Sequence, residues 1–419
     1  MNEAATRAQH PEETAGVATT SSPVSLFLVF AFAYVLSALL RAVTATLAPV
    51  FSVELGISAA QLGLLAGAYF LGFALMQLPL GLALDRQGAR RVLMALLMVA
   101  TLGCAGFAIA RDLFTLVWAR ALIGVGVSAC LMAPLTCYRH RFTPATQLRA
   151  NSWMLMTGSL GMMASTLPVQ WLLPALGWRG LFWLLAALML LAVAWIAWRA
   201  PRDAAASELG VRAHRLSYGA IVRHPLFLCL APLAFFVYGG MIAVQSLWAG
   251  PWLTQVCGWT PQAAAAGLFA INLSMLATFM AWGVLMPRLA ARGWDAMRLL
   301  RWGLPASLVV LACNVAGGAA TGASAWALWC VCSTFVTLSQ PAVGLAFPST
   351  QAGKALSAFN LVIFLGVFAM QWGIGLLIDG LKANGVSTIA SFQWAFGVFA
   401  LACALSYLWF LHRAAAARQ

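Results

Sequence analysis

Long apolar runs alternate with short polar intervals along almost the whole chain. Twelve runs reach the roughly 20 mostly apolar residues that a helix needs to cross a bilayer. They lack the alternating segments of about ten residues typical of barrel strands, so the pattern predicts transmembrane α-helices. The predicted spans are Ser25–Phe51, Ala60–Leu84, Val92–Ala110, Leu113–Tyr138, Ser152–Leu173, Gly180–Trp198, Pro225–Gly250, Gln262–Met286, Leu299–Gly318, Ser324–Pro348, Ala355–Asp379 and Gln393–Leu411.

The longest internal polar interval divides the predicted spans into two sets of six. The first apolar run is too long for a cleaved signal peptide, so we expect it to be retained as a span. The pattern predicts an all-α polytopic membrane protein with twelve transmembrane helices in two six-helix bundles. Its predicted parts are a cytoplasmic N-terminal tail over 1–24, a first bundle over 25–198, a cytoplasmic linker over 199–224, a second bundle over 225–412 and a cytoplasmic C-terminal tail over 413–419.

The first span of each set carries a stripe of polar, aromatic and sulfur-containing residues. The stripes are Tyr34, Ser37, Arg41 and Thr44 in the first predicted span and Tyr238, Met241, Gln245 and Trp248 in the seventh. Both step by three, four and three, which places each stripe on one helical face. Because six spans separate them, the two helices run in the same direction, as in a parallel pseudo-symmetric repeat. Polar residues that only join helices would also give such stripes, and this alternative stays open.

The composition indicates that lipid is the main solvent of the chain. Apolar residues make up 63% of the 419 residues, charged residues make up 8%, and the mean hydropathy is +0.90. An ordinary soluble domain carries about a quarter charged residues, so soluble, disordered, nucleic-acid-binding and small disulfide-rich proteins are excluded. The nine cysteines are scattered without zinc or redox spacing, and we expect neither a metal nor a cofactor.

Positive charge is distributed unevenly among the predicted loops. The formal net charge is +14, and 19 of the 24 Lys and Arg residues fall in tails and loops on the side of the N-terminus. The positive-inside rule therefore predicts that both termini are cytoplasmic, in a cytoplasmic (inner) membrane. The charge is a topology signal, and we expect no nucleic-acid partner.

The interval between the second and third predicted spans reads Gly81-Leu-Ala-Leu-Asp85-Arg86-Gln-Gly88-Ala-Arg90-Arg91. It resembles the signature loop of the major facilitator superfamily at all six specified positions and at the same place between spans. The twelve spans, two halves and central linker extend the resemblance over the whole chain. Further matches are Arg120, Gly124 and Gly126 in the fourth predicted span, and Gly177, Trp178, Arg179 and Phe182 at the start of the sixth.

The resemblance implies that two bundles alternate in opening to each side and that the signature loop acts as a gate. Gly81 would allow close helix approach, Gly88 would permit a tight turn, and Asp85 would face the positive end of the eleventh helix. A plain basic loop is the alternative, although it would need neither the acid nor the glycines. The gating residues implied by the resemblance are Gly81, Asp85, Arg86, Gly88, Arg90, Arg91 and Arg120.

Two departures from the family pattern concern coupling. Pro287 stands where the loop after the eighth span would carry a second aspartate, so a symmetric second latch is not expected there. The glycine-proline antiporter motif of the fifth span is not cleanly present, since Pro168 comes too late. This weakens an assignment as a drug–proton antiporter.

Arg41 is the leading candidate for contact with substrate. None of the ten acidic residues falls deep in a predicted span, whereas Arg41 and Arg120 do. A permanent cation at a span centre costs roughly 2.5–3.5 kcal/mol and needs water, carbonyls, aromatic faces or an anionic ligand. We therefore predict that Arg41 attracts a negatively charged substrate group; a purely structural role is the alternative. The predicted substrate-binding residues are Arg41, Tyr34, Tyr69, Tyr238, Gln245, Trp248, Thr337 and Asn360.

The leading hypothesis is a secondary active or facilitative transporter that moves a small solute by alternating access. The expected partners are a small-molecule substrate, the lipid bilayer and a coupling proton, and the expected state is a monomer. An exporter of amphiphilic or drug-like compounds and a transport-inactive receptor with the same fold are the alternatives. An enzyme is not expected, since His140 near Cys137 lacks an orienting third group.

Overall fold

The computed structural model describes residues 23–201 and 218–416, and every regular element in these two ranges is helical. Eleven of its helices are long and apolar enough to span a membrane. A twelfth helix, Pro144–Ala164, begins in a more polar stretch with Gln147, Arg149 and Asn151. The predicted N-terminal tail lies almost wholly outside the described residues, as do most of the predicted linker and the last three residues of the predicted C-terminal tail.

The twelve transmembrane helices are numbered in chain order. They are α1 (Pro23–Glu54), α2 (Ala59–Gln87), α3 (Ala89–Ile109), α4 (Leu113–Tyr138), α5 (Pro144–Ala164), α6 (178–199), α7 (Pro225–Val256), α8 (Pro261–Ala291), α9 (Ala296–Ala320), α10 (Ala323–Leu345), α11 (Ser349–Ala383) and α12 (Thr388–Ala416). A short helix, Tyr218–Val222, precedes α7. The architecture is the predicted one, with six helices in each of two bundles.

The fifth helix differs from its predicted span at both ends. It starts at Pro144 because Thr143 caps its first turn, so the predicted start at Ser152 is eight residues late. It ends at Ala164, since Pro168 lacks an N–H and its ring clashes with the carbonyl four residues earlier. A further helical stretch runs over 167–176, and Gly177, with a φ of 61°, then turns the chain into α6.

Helix α7 is interrupted by three π-helical stretches, which the sequence pattern did not predict. They cover Ala234–Tyr238, Val244–Trp248 and Trp252–Val256. Each π turn takes up more residues than an α turn, so side chains spaced for a regular helix drift around the axis. The predicted stripe on this helix is therefore not a single face.

Two ends of the bundle need names. We call the end that carries Gly88, Arg199 and Pro225 the linker face, and the end that carries Leu55 and Gly258 the opposite face. Successive helices are antiparallel, so each loop between them returns the chain to one of these two faces.

The two bundles are packed together at the opposite face. A methyl group on Gly63 of α2 would overlap the carbonyl oxygen of Gln371 on α11, and one on Gly250 of α7 would lie 2.6 Å from the carbonyl oxygen of Ala45 on α1. Small residues let helix backbones approach in this way. Nearer the linker face, a methyl group on Gly81 of α2 would meet no atom of the described residues within 4 Å.

Candidate functional site

Arg41 lies halfway along α1 among aromatic side chains from both bundles. The hydroxyl groups of Tyr34 and Tyr69 are close enough to interact directly with its guanidinium, and Tyr238 of α7 interacts with both Arg41 and Tyr34. The Phe73 ring centroid lies 6.0 Å from the guanidinium carbon of Arg41. The structure therefore brings together four of the predicted binding residues, including one from the second bundle.

Exposure separates the eight predicted binding residues into two groups. Arg41, Tyr238, Thr337 and Asn360 are partly exposed. Tyr34, Tyr69, Gln245 and Trp248 are buried. The Nε of Arg41 is nevertheless buried and has no hydrogen-bond acceptor among the described residues. A charged donor without an acceptor in a bilayer-spanning helix is costly, so this nitrogen is suited to an anionic ligand.

Arg120 forms the support behind this cluster. Its side chain is 1% exposed, its Nη2 donates to the carbonyl oxygen of Leu40 at 2.7 Å, and its guanidinium carbon lies 5.1 Å from the ring centroid of Tyr69. Tyr69 in turn donates to the carbonyl oxygen of Ser37 at 3.2 Å. These contacts join α1, α2 and α4 of the first bundle, so Arg120 holds the helices that carry Arg41 and Tyr69.

We expect Arg120→Lys to lower the stability of the protein by about 1–3 kcal/mol. Lysine cannot both stack its charge flat on the Tyr69 ring and reach the Leu40 carbonyl, because its ammonium is a compact point charge. Thermal unfolding of the purified protein measures the loss. Arg91→Lys, at an exposed position on α3, is the matched control and should leave the melting temperature unchanged. An equal melting temperature for Arg120→Lys and the wild type would contradict this structural role.

The predicted stripe on α7 is divided between three environments. Tyr238 faces the Arg41 cluster, whereas Gln245 donates from Nε2 to Oδ1 of Asn272 on α8 at 2.8 Å. Trp248 is fully buried and donates to the carbonyl oxygen of Gln371 at 3.2 Å. The π turns cause this spread, and they place Gln245 and Trp248 at the packed opposite face.

Two further predicted residues lie in the second bundle, and one of them joins two of its helices. Asn360 of α11 accepts from Nε2 of Gln340 on α10 at 2.7 Å. Thr337 donates to the carbonyl oxygen of Thr334 at 2.7 Å within a tight 3₁₀ stretch. Both side chains are partly exposed, so contact with substrate stays a prediction for them.

The signature loop adopts part of the predicted geometry. Gly88 has a φ of 83°, so the tight turn between α2 and α3 forms as predicted. The close helix approach expected at Gly81 is not formed in this conformation, because an added methyl group there would meet no described atom within 4 Å. The carboxylate contact predicted for Asp85 lies outside the side chains that the structure describes.

The arginines of the signature loop have different surroundings. Arg90 donates from Nη2 to the carbonyl oxygen of Ala197 on α6 at 2.6 Å, which ties the loop to its own bundle. Arg86 and Arg91 are exposed. Their predicted role in gating is not tested by these contacts.

Two aromatic residues of the cluster were missed by the sequence analysis. Phe73 of α2 and Phe364 of α11 have ring centroids 4.5 Å apart and join the two bundles beside Arg41. Tyr69 and Phe73 are also stacked, with centroids 6.2 Å apart. The spacing of four between Tyr69 and Phe73 was a usable signal, because it places both rings on one face of α2.

Comparisons with known proteins agree with this architecture. A family model described as Major Facilitator Superfamily matches residues 30–370. The chain is 24% identical over 381 residues to the probable 4-methylmuconolactone transporter of Cupriavidus pinatubonensis, covering 85% of this chain and 84% of that protein. It is 30% identical over 175 residues to the hexuronate transporter of Bacillus subtilis, which is 41% of each chain. Among solved structures, a bacterial homologue of the human lysosomal transporter Spinster, in an inward-facing and unoccupied conformation, has a TM-score of 0.71 at 15% identity, covering 94% of this chain and 97% of that one.

Proposed function

The chain belongs to the major facilitator superfamily, and from this premise we propose that it carries a small organic carboxylate that binds at Arg41. It is a multi-pass membrane protein that transports a small solute. The observation that carries the carboxylate proposal is Arg41, which is partly exposed and whose guanidinium Nε has no acceptor among the described residues.

The electrostatics of the cluster favour an anion. Arg41 is surrounded by tyrosines and by the Phe73 ring, and no acidic residue occurs in the chain between Glu54 and Asp85 or between Glu208 and Asp295. The helices α2 and α7 that face Arg41 therefore lack an acid at its depth. A carboxylate of the substrate would supply the missing charge and two acceptor oxygens, in the forked geometry that a guanidinium recognises.

The aromatic walls favour a flat or ring-shaped body behind the carboxylate. Tyr69, Phe73 and Phe364 form a continuous row of rings beside Arg41. Tyr34 and Tyr238 add hydroxyl groups that can bond to polar substituents. Two relatives, the probable 4-methylmuconolactone transporter and the hexuronate transporter, support the proposal, since both substrates are ring-forming acids.

Thermal unfolding with paired ligands tests this function. We expect galacturonate or 4-methylmuconolactone to raise the melting temperature of the purified protein, and galactose or the methyl ester of the lactone to leave it unchanged. A ligand at one hundred times its dissociation constant stabilises the folded state by about 2.7 kcal/mol. Stabilisation by the neutral partner of a pair to the same extent as by its acid would overturn the carboxylate proposal.

We further propose that the linker face is cytoplasmic and that both termini lie there, with the chain divided at 199–224. The excess of arginine and lysine at this face supports that orientation by the positive-inside rule. The proton as coupling ion and the monomeric state stay predictions.

A further inference from the structure

Asp379 of α11 caps the first turn of α2, a helix of the other bundle. The backbone N–H of Ala59 donates to Oδ1 of Asp379 at 3.1 Å, and that of Ala60 donates to Oδ2 at 2.7 Å. Ser58 accepts from the backbone N–H of Gln61 at 3.3 Å. Two of the first three N–H groups of α2 are therefore satisfied by a carboxylate that belongs to the second bundle.

The backbone around this carboxylate is shaped for close contact. A methyl group on Gly375, one turn before Asp379, would overlap the carbonyl oxygen of Ala59. Glycine therefore lets α11 approach α2 closely enough for both carboxylate oxygens to reach the N–H groups. The segment reads Gly375-Leu-Leu-Ile-Asp379.

The position of Asp379 is unfavourable within its own helix. It lies in the last turns of α11, which ends at Ala383, where the helix dipole favours cations over anions. The positive end of α2 offsets this cost only when the two helices are docked. The electrostatic free energy of the Asp379 carboxylate therefore depends on the distance between the two bundles.

The same pattern ends the partner helix. The linker-face end of α2 reads Gly81-Leu-Ala-Leu-Asp85, so each helix of this antiparallel pair finishes with glycine, three apolar residues and aspartate. In the present conformation the sequence that begins at Gly375 contacts the other helix, since an added methyl group on Gly375 would overlap Ala59. An added methyl group on Gly81 would meet no described atom within 4 Å.

We propose that Asp379 is a latch that holds the opposite face closed. The inference rests on transport by alternating access and does not depend on which solute is carried. Opening the opposite face removes both carboxylate contacts, so the latch favours the conformation in which only the linker face can open.

Hydrogen exchange of the purified wild-type protein and of Asp379→Ala, without any ligand, tests the latch. We expect Asp379→Ala to raise amide exchange by about twofold to thirtyfold, the range of measured N-cap losses. The increase should cover residues 59–66 and also 43–52 of α1 and 248–256 of α7, which close the same face but do not touch Asp379. Asp379→Asn keeps one acceptor and should give a smaller increase over the same segments.

Asp112→Ala is the matched control. Asp112 accepts from the backbone N–H of Thr115 at 2.9 Å and caps α4 within a single bundle. Its loss should raise exchange at the start of α4 and leave residues 43–52 and 248–256 unchanged. If Asp379→Ala raises exchange only at the first turn of α2, Asp379 is a local helix cap and the latch is refuted. Because no substrate is present, a failure of the carboxylate proposal would not affect this result.

Discussion

Gly63→Leu should reduce transport by about fivefold to 150-fold while leaving the protein folded. Gly63 faces the carbonyl oxygen of Gln371 across the two bundles, and any side chain there overlaps it. Overpacking of a tight contact costs about 1–3 kcal/mol, which shifts a two-state equilibrium by about fivefold to 150-fold. The bundles would then stay apart at the opposite face, and a carrier that cannot close one side cannot complete its cycle. Initial uptake rates in proteoliposomes measure the loss.

Gly373→Leu provides the matched control for this prediction. Gly373 lies on α11, two residues from Gln371, but an added methyl group there meets no described atom within 4 Å. The same increase in size should leave uptake at the wild-type rate. Ligand binding by Gly63→Leu in detergent should persist, since the Arg41 cluster lies deeper in the membrane than the substituted side chain. Wild-type uptake by Gly63→Leu would show that this contact does not need to close tightly.

The number and type of the helices could be predicted because their signal is local. A run of about 20 apolar residues forms a transmembrane helix in a bilayer, since every backbone N–H and C=O must form a hydrogen bond within the segment. The interruptions could not be predicted in the same way. The three π stretches of α7 depend on how neighbouring helices satisfy the freed backbone groups, and that information is not local.

Residues of the candidate site could be predicted where their burial in lipid costs free energy, but not where the residue type is common in transmembrane helices. Arg41 stood out because a cation in a span needs a reason, and Tyr34 and Tyr238 stood out by their matching positions in the two stripes. Phe364 carried no such signal, since phenylalanine is common in any span, and Phe73 carried only its spacing of four from Tyr69. For Trp248 the spacing was misleading. It favoured a place in the candidate site, but the indole of Trp248 is buried where the two bundles pack together at the opposite face and donates to the carbonyl oxygen of Gln371.

Asp379 shows that a residue near a helix end can be misjudged by the same reasoning. An acid at a span end costs little in lipid, so the sequence pattern did not mark Asp379 as a contact between the bundles. Its two contacts with Ala59 and Ala60 cross from one bundle to the other, and only the folded arrangement reveals this. The repeat of glycine, three apolar residues and aspartate was the available signal.

Arg41→Gln should weaken carboxylate binding by about tenfold to 150-fold. A hydrogen bond that involves a charged group contributes about 1.5–3 kcal/mol, and glutamine keeps a donor but loses the charge and the fork. The affinity of Arg41→Lys should fall between those of the wild type and Arg41→Gln, because lysine keeps the charge but not the bidentate geometry. Binding constants for galacturonate and 4-methylmuconolactone, measured by calorimetry on the three proteins, give the comparison.

The effect of Arg41→Gln must be separated from a general loss of positive charge and from a loss of fold. Arg111→Gln removes one charge from an exposed position at the opposite face and should bind both acids as the wild type does. Arg41→Gln should also be at least as stable as the wild type, because removing a guanidinium whose Nε lacks an acceptor relieves a desolvation cost. Weaker acid binding together with unchanged or higher stability is the result that a binding arginine predicts. A fall in stability with unchanged affinity would instead make Arg41 a structural cation, held by Tyr34 and Tyr69 for the integrity of the first bundle.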